Sequence, residues 1–438
     1  MKLSQLLSEV DLRAAGDSMH AFMAELYPTC RSITGDGLRA TLKRIGREIP
    51  LEIHEVATGT PVFDWTVPHE WNIRDAWIKN PRGEKVVDFQ KSNLHVVQYS
   101  LPVQQRMTLD DLKGHLHTLP DRPDSIPYRT SYYKETWGFC LTQRQVDEFE
   151  PGEYEVRIDS TLADGSLSYG EHYLRGRTAD EVLISCHVCH PSLANDNLSG
   201  MALAVKLAAL LAGASLKHSY RFLFIPGTIG SITWLARNAD RARQIRHGLV
   251  VTCVGDAGSL HYKRSRQGNA EIDRAVIKAQ RDRGRELKVR EFSPYGYDER
   301  QYCSPGFNLP VGSLTRSPHG TFPQYHTSAD NLDFVRPEAL ADSLAAYLAV
   351  VRILEGNACY QNLNPCCEPQ LGKRGLYRSI GGLPDAGRME LALLWVLNLS
   401  DSTHSLLDIA ERADLPFELV QQAAETLVAH NLLEGRMA

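Results

Sequence analysis

The sequence predicts an α/β protein with a small β insertion and a helical C-terminal module. Three observations carry this. From residue 151 to 365 buried-strand patterns alternate with helical ones. From 51 to 125 short β-like pieces alternate with turn signals, and beyond about 370 the pattern is helical. Strand–helix alternation implies a sheet with mostly parallel strands, and function gathers at the carboxyl ends of such strands.

In chain order, 3–27 and 36–46 read as helices, the second spacing Leu38, Leu42 and Ile45 at helical intervals. The turn-rich loop TCRSITG (29–35) lies between them. The pieces LEIHEVA, EWNIRDAWIKN, KVVDF and HVVQYSL, broken by turns such as Pro81-Arg82-Gly83, make up the β stretch. Trp65, Trp71, Trp77 and Trp137 sit in or just after it, and at these spacings tryptophans are more often core than cleft wall.

In the alternating region, 182–188 (VLISCHV), 219–226 (SYRFLFIP) and 247–256 (HGLVVTCVGD) read as strands. Residues 199–212, 232–239, 270–283 and 337–355 read as helices. At the C-terminus, helices at 390–397, 406–413 and 416–430 resemble a helix-turn-helix of winged-helix type. Eight acidic residues lie between Glu390 and Glu434 and basic ones are few. That balance favours a protein-contact or dimerisation module over a DNA reader.

The chain has 438 residues, enough for two or three domains. Its 48 basic and 53 acidic residues give a formal net charge of −5, which excludes binding to nucleic acid or acidic lipid by bulk charge. No apolar run of about 18 residues occurs, so no membrane span is expected. Glu9, Asp11 and Arg13 interrupt the place where a signal peptide needs its apolar stretch, so a cytoplasmic location is expected. Nine cysteines, an odd number spread along a long chain, suit reduced thiols.

The densest polar constellation is 185–200, SCHVCHPSLANDNLSG, where a buried strand gives way to an apolar helix. Imidazole and carboxylate are good zinc ligands, and a strand end can aim both inward. His187 and Asp196 are the candidates; Asp196 or Asn197 could equally cap the helix that follows. Asp256 follows a further strand, and His326 sits in a later loop. Histidines and aspartates gathered from different strand ends suit a zinc hydrolase. Cys186 and Cys189 form a C-x-x-C pair, but a redox pair opens a helix and this one ends a strand. The adjacent Cys366-Cys367 does not supply the second spaced pair that a structural zinc needs.

The order His187, Asp196, 227–228, Asp256, His326 resembles the co-catalytic zinc aminopeptidases. More narrowly, the chain looks like the aminopeptidase-like proteins often encoded beside polysaccharide- or natural-product-biosynthesis genes. The matching stretches are CRSITGDG (30–37), WNIRDA (71–76), ETWGFC (135–140), 187–200 and DERQY (298–302). The resemblance implies a three-layer α/β fold with a mixed central sheet, formed by 1–60 and 126–368. It also implies an inserted β subdomain (61–125) and a C-terminal winged helix (369–438). It makes His187, Asp196, Asp256 and His326 metal ligands, with Asp196 as the bridge.

Two departures stand out. The family's strand ends in Glu-Glu, a general base followed by a zinc ligand, where this chain has Gly227-Thr228. The aspartate that orients the first histidine is replaced by Cys189. Such an orienting carboxylate is worth roughly tenfold or more in metal affinity. One zinc ion rather than two is therefore expected. Asp298, Glu299 and His190 are the candidates to replace the missing base, although a loop-stapling hydrogen bond is an equal alternative for His190. Arg300, Tyr302 and Tyr325 are candidate substrate contacts. Arg300 and Arg31 could each clamp an anionic substrate group or form a salt bridge. The expected activity is hydrolysis of an amide in a peptide-like or aminoacyl small molecule. The alternative is a non-hydrolytic binding or biosynthetic protein on the same fold. No nucleic-acid or membrane partner is expected, and the winged helix is the candidate surface for a homo-oligomer.

Overall fold

The computed structural model describes residues 3–376 and 386–435. The chain divides into two compact units, 1–270 with 288–345 and 271–287 with 346–438.

The first unit is built on an eight-stranded sheet. In chain order its strands are β1 (Glu52–Ala57), β2 (Ser166–Leu174), β3 (Glu181–His187), β4 (Ser219–Ile225), β5 (Ile245–Val251), β6 (Leu260–Lys263), β7 (Leu287–Arg290) and β8 (Val311–Thr315). They lie in the order β1-β2-β4-β3-β5-β8-β6-β7. The centre, β4-β3-β5-β8, is parallel. The pairs β1–β2, β2–β4 and β6–β8 are antiparallel. This is the expected mixed sheet. β3 and β4 are buried at every position, as strands covered on both faces must be. The Gly200–Leu211 helix is apolar nearly all round and correspondingly buried.

A buried ion cluster ties three adjacent strands together. Arg221 on β4 meets Glu181 of β3 at 2.6 and 2.7 Å and also pairs with Glu171 of β2. Trp234 Nε1 donates to the second Glu171 oxygen at 2.8 Å. All three charged side chains are less than a tenth exposed.

The β subdomain is an antiparallel sheet of Lys85–Asp88, Glu70–Lys79, Glu153–Ala163 and Val103–Thr108, in that order. Glu153–Ala163 lies outside 61–125, yet it pairs with strands on both sides. Trp71 and Trp77 are buried in this region, while Trp65 stays half exposed.

In the second unit, helices Ala386–Leu399, Leu406–Ala413 and Phe417–Ala429 stand with a three-stranded sheet of Cys359–Asn362, Asp401–Ser405 and Leu433–Gly435. A capping box between Ser405 and Asp408 starts the second of these helices. The 270–283 helix, expected with the α/β domain, is Glu271–Asp282 and packs here instead. The reason is polar. Arg274 pairs with Asp408 at 2.6 Å and with Glu411 at 2.5 Å. Lys278 Nζ donates to Leu415 O at 2.7 Å, and Asp282 accepts from Phe417 N at 2.8 Å. Among the described residues no helix is long and apolar enough to cross a membrane.

Removing Arg221 would leave two buried carboxylates without their cation. Arg221→Met is expected to lower unfolding stability by about 3 to 5 kcal/mol. Urea titration at neutral pH checks this, and a loss below about 1 kcal/mol would contradict it.

Candidate active site

The carboxyl ends of β3, β4 and β5 open onto a cluster centred on Asp196, which is completely buried. His187, the last residue of β3, places Nε2 2.8 Å from Asp196 Oδ1. His326 places Nε2 3.0 Å from Oδ2. His190 Nδ1 lies 3.0 Å from the Asp196 carbonyl and 3.4 Å from Oδ1. Burial alone would raise the Asp196 carboxyl. The His190 charge and hydrogen bonds from all three imidazoles outweigh it and hold the group well below the usual carboxylate range. His187, His190 and Asp196 present ligand atoms within 4.8 Å of one another, a spacing that can hold a metal ion. Nitrogen and carboxylate oxygen are the donors zinc takes, so the side chains present fit that ion in kind.

The turn carrying Asp196 is held by Asp330, whose role the sequence does not signal, and by Asn197, one of the two expected capping residues. Asp330 accepts from the backbone N–H of Asn195 at 2.6 Å and of Asp196 at 2.9 Å, one on each oxygen. Burial lifts its carboxyl to about 8. The capping role belongs to Asn197: its Oδ1 accepts from Gly200 N at 3.1 Å, while its Nδ2 donates to His187 O and Val251 O. Nδ2 also lies 3.4 Å from His187 Nδ1, so His187 is backed by an amide N–H rather than a carboxylate. Cys189, at the position of the absent aspartate, is buried with its Sγ 3.9 Å from Gly227 O.

Gly227 follows β4 and faces this cluster. A Cβ placed there would stand 3.2 Å from His187 Cβ and 3.5 Å from Asp298 Oδ2. Asp298 is wholly buried, its Oδ1 accepts from Ser231 Oγ at 2.8 Å, and its Oδ2 has no hydrogen-bond partner. Burial pushes its carboxyl up to about 7, against a smaller lowering by Ser231. A side chain starting at 227 would thus press against His187 on one side and meet a free carboxylate oxygen on the other.

The remaining expected residues are dispersed. Asp256 stands five positions beyond the end of β5. Both its oxygens are taken, by Asn195 Nδ2 (2.9 Å), Gly258 N (2.7 Å), Ser317 N (3.2 Å) and Ser317 Oγ (2.6 Å). It braces the Asn195 turn and is not brought into the cluster. Glu299 is buried, with Oε1 paired to Lys263 at 2.8 Å and Oε2 unpartnered. Tyr302 is fully buried and hydrogen-bonds Ser185 at 2.9 Å inside the core, so it cannot meet a substrate. Arg300 is half-buried, its Nε without a hydrogen-bond partner. Arg31 makes neither a clamp nor a salt bridge: it is fully buried and donates to the carbonyls of Leu26, His190 and Pro191 at 2.6 to 2.7 Å. It staples the backbone of the loop that carries His190.

Tyr325 stacks on His326 at 3.9 Å, and Tyr297, not expected from the sequence, stacks on His187 at 4.8 Å. Their hydroxyls lie 3.2 Å apart. Tyr128 meets both His190 and His326 edge-on, and its N–H donates to His326 O at 2.8 Å. These rings wall the cluster.

Residues 20–357 match the family described as domain of unknown function DUF4910, and 358–435 match a winged helix-turn-helix family. The chain belongs to the DUF4910 family. It is 56% identical over 419 residues to a provisionally named polysaccharide biosynthesis protein with aminopeptidase-like domain from Clostridium acetobutylicum, covering 96% of each chain. A crystal structure of a provisionally named peptidase from that organism superposes with a TM-score of 0.94 at 52% identity, covering 99% of each. BSAP, a zinc aminopeptidase from Bacillus subtilis, shares the fold at 12% identity with a TM-score of 0.57, covering 77% of this chain and 94% of that one. The chain is thus an aminopeptidase-like α/β protein with a C-terminal winged helix.

The Asp298 carboxyl titrates near 7 in the folded chain and near its ordinary 3.8 when unfolded. Its contribution to stability is fully present below about pH 4 and is lost as pH rises through 7. In chelator-treated protein, Asp298→Asn should therefore make stability fall less steeply between about pH 4 and 7, by on the order of a few kcal/mol in all, with the slope from Asp330 remaining in both proteins. Denaturant midpoints across that range check it, and parallel curves for the two proteins would refute it.

Proposed function

We propose that this chain is a zinc-dependent hydrolase of aminopeptidase type, acting on an amide in a peptide-like or aminoacyl small molecule, with Asp298 as its general base. The observation that carries the reading is the free Asp298 oxygen 3.5 Å from the point where a side chain at Gly227 would begin. His187, Asp196 and His326, with His190 beside them, would hold the ion. Bound zinc supplies Lewis acidity toward a carbonyl oxygen. Asp298 takes the proton of the attacking water; a carboxyl near 7 is matched to proton transfer at neutral pH. Tyr297 and Tyr325 shield the histidines and exclude bulk water from the reacting centre. Arg31 and Asp330 hold the two backbone turns that carry His190 and Asp196.

The proposed substrate carries a free amine next to the amide that is cleaved, and the proposed location is cytoplasmic. The Clostridium acetobutylicum relative is named for polysaccharide biosynthesis, which supports a biosynthetic intermediate rather than a dietary or waste peptide. A nucleic-acid partner is not proposed. The first turn of the Phe417–Ala429 helix, where a winged helix would read bases, is engaged by Asp282 and Arg352 of its own unit. The winged helix instead remains the proposed surface for self-association.

One observation favours the binding-only alternative. The amide behind His187 offers a donor where a metal-bound imidazole wants an acceptor. Cys189→Asp should therefore raise zinc affinity about tenfold or more. Competition with a chromophoric chelator measures it, and unchanged affinity would mean that Asn197 orients His187 adequately.

Metal analysis and turnover of aminoacyl-p-nitroanilides test the main reading. Zinc should copurify and be lost in His187→Ala. Asp298→Ala should lower kcat/KM by about 10² to 10⁴. Adding Gly227→Glu to that variant should restore part of the activity, since the incoming side chain enters the space Asp298 vacates. Hydrolysis unaffected by Asp298→Ala would end the case for this base.

A further inference from the structure

A second concave site lies on the face of the Ile229–Arg237 and Glu299–Tyr302 helices that carries Leu235 and Gln301. Two cavities, of about 350 and 710 Å³, share Phe63, Gly306 and Phe307 and so meet across the edge-to-face contact of Phe63 with Phe307 at 5.8 Å. Each is of the size of a ligand site. None of the Asp196 cluster lines either one.

The chemistry of this groove is selective. Phe63 is 60% exposed and Trp65 49%, and Tyr133, 54% exposed, meets Trp65 edge-on at 5.6 Å. The aliphatic lining residues Ile232, Leu235, Ile245 and Leu309 are all buried. Among the large apolar residues of the lining only rings are exposed, with Ala239, Arg243 and Arg246 exposed beside them in the larger cavity. The polar lining consists of Asp64, Arg243, Arg246, Gln267, Gln301, Ser304 and Asn308, groups that pair with hydroxyls. Phe63 also holds a left-handed backbone, φ +57°, in the two-residue turn between Pro61–Val62 and Trp65–Thr66. That conformation disfavours a bulky side chain, and here it carries an aromatic ring out to solvent.

We propose that this groove binds a saccharide. A pyranose ring has an apolar C–H face and a hydroxylated edge. The first fits against Trp65, Phe63 and Tyr133, and the second meets the amides, the Asp64 carboxylate and the Ser304 hydroxyl. The site is independent of the hydrolytic reading and involves no covalent step.

The test uses the full chain and three neutral oligosaccharides, maltoheptaose, cellohexaose and chitohexaose, titrated by calorimetry. At least one should bind, and its binding should shift the fluorescence of the half-exposed Trp65. Trp65→Ala and Phe63→Ser should each weaken it about tenfold or more while leaving the melting temperature and any p-nitroanilide hydrolysis unchanged. No binding of any of the three at millimolar concentration would overturn the proposal. So would binding that both variants retain. If the variants instead convert a sedimenting dimer to monomer, the groove is a contact between copies and not a saccharide site.

Discussion

The charge on Asp196 is the constraint from which the site follows. A carboxylate with no exposed surface is tolerable only when its oxygens are compensated. Three imidazoles supply that compensation, two from the end of β3 and the loop just after it and the third from the remote loop that ends near Asp330. Holding them together fixes the local backbone. Asp330 takes two N–H groups of the Asn195–Asp196 turn, Asn195 reaches Asp256 and Gly255, and Asn197 ties β3 to β5. The polar network of the loops therefore serves one buried anion, and loss of any tie would leave an uncompensated group beside it.

The same economy explains the aromatic shell. Rings that stack on His187 and His326 keep imidazole orientation fixed without adding competing charges. Tyr128 does this for two histidines at once, and the segment that carries it is zipped to the His326 loop by backbone bonds. The largely irregular segment between Val103–Thr108 and Glu153–Ala163 thus reaches the site, a role that no local motif announces.

Much of the fold and the centre of the site could be read from residues. Strand patterns such as VLISCHV are unambiguous because both faces are buried, and His187, Asp196 and His326 come together as the family resemblance implies. The misplacements have a common cause. The pattern HGLVVTCVGD predicts a strand through Asp256, but β5 stops at Val251, and Asp256, five residues on, pairs with Ser317. Tyr302 neighbours the acidic pair in sequence, but its ring points under the sheet toward Ser185. Linear proximity gives no direction. Asn197 is one of the two capping candidates and takes that role, whereas nothing marks Asp330, because its partners are backbone groups, which leave no trace in a sequence. The helix Glu271–Asp282 looked like part of the α/β alternation, and only its ion pairs with Asp408 and Glu411 reveal its other allegiance.

Gly227 and Asp298 stand where two different elements could each bring a carboxylate to the same place. At a strand end, a glutamate projects over the sheet on a fixed backbone. An aspartate from the start of a short helix needs another anchor, and Ser231 on the facing helix provides it through Oδ1, leaving Oδ2 directed at the space over Gly227. Ser231 lies in the same helix whose Ile232 and Leu235 form the floor of the aromatic groove, and Gln301 and Ser304 continue that floor just past Asp298. One pair of short helices is therefore the common wall of both concave sites. Its inner side needs rigidity to hold a buried acid without a counter-ion, and its outer side needs a firm surface beneath exposed rings. Close packing of the two helices satisfies both requirements.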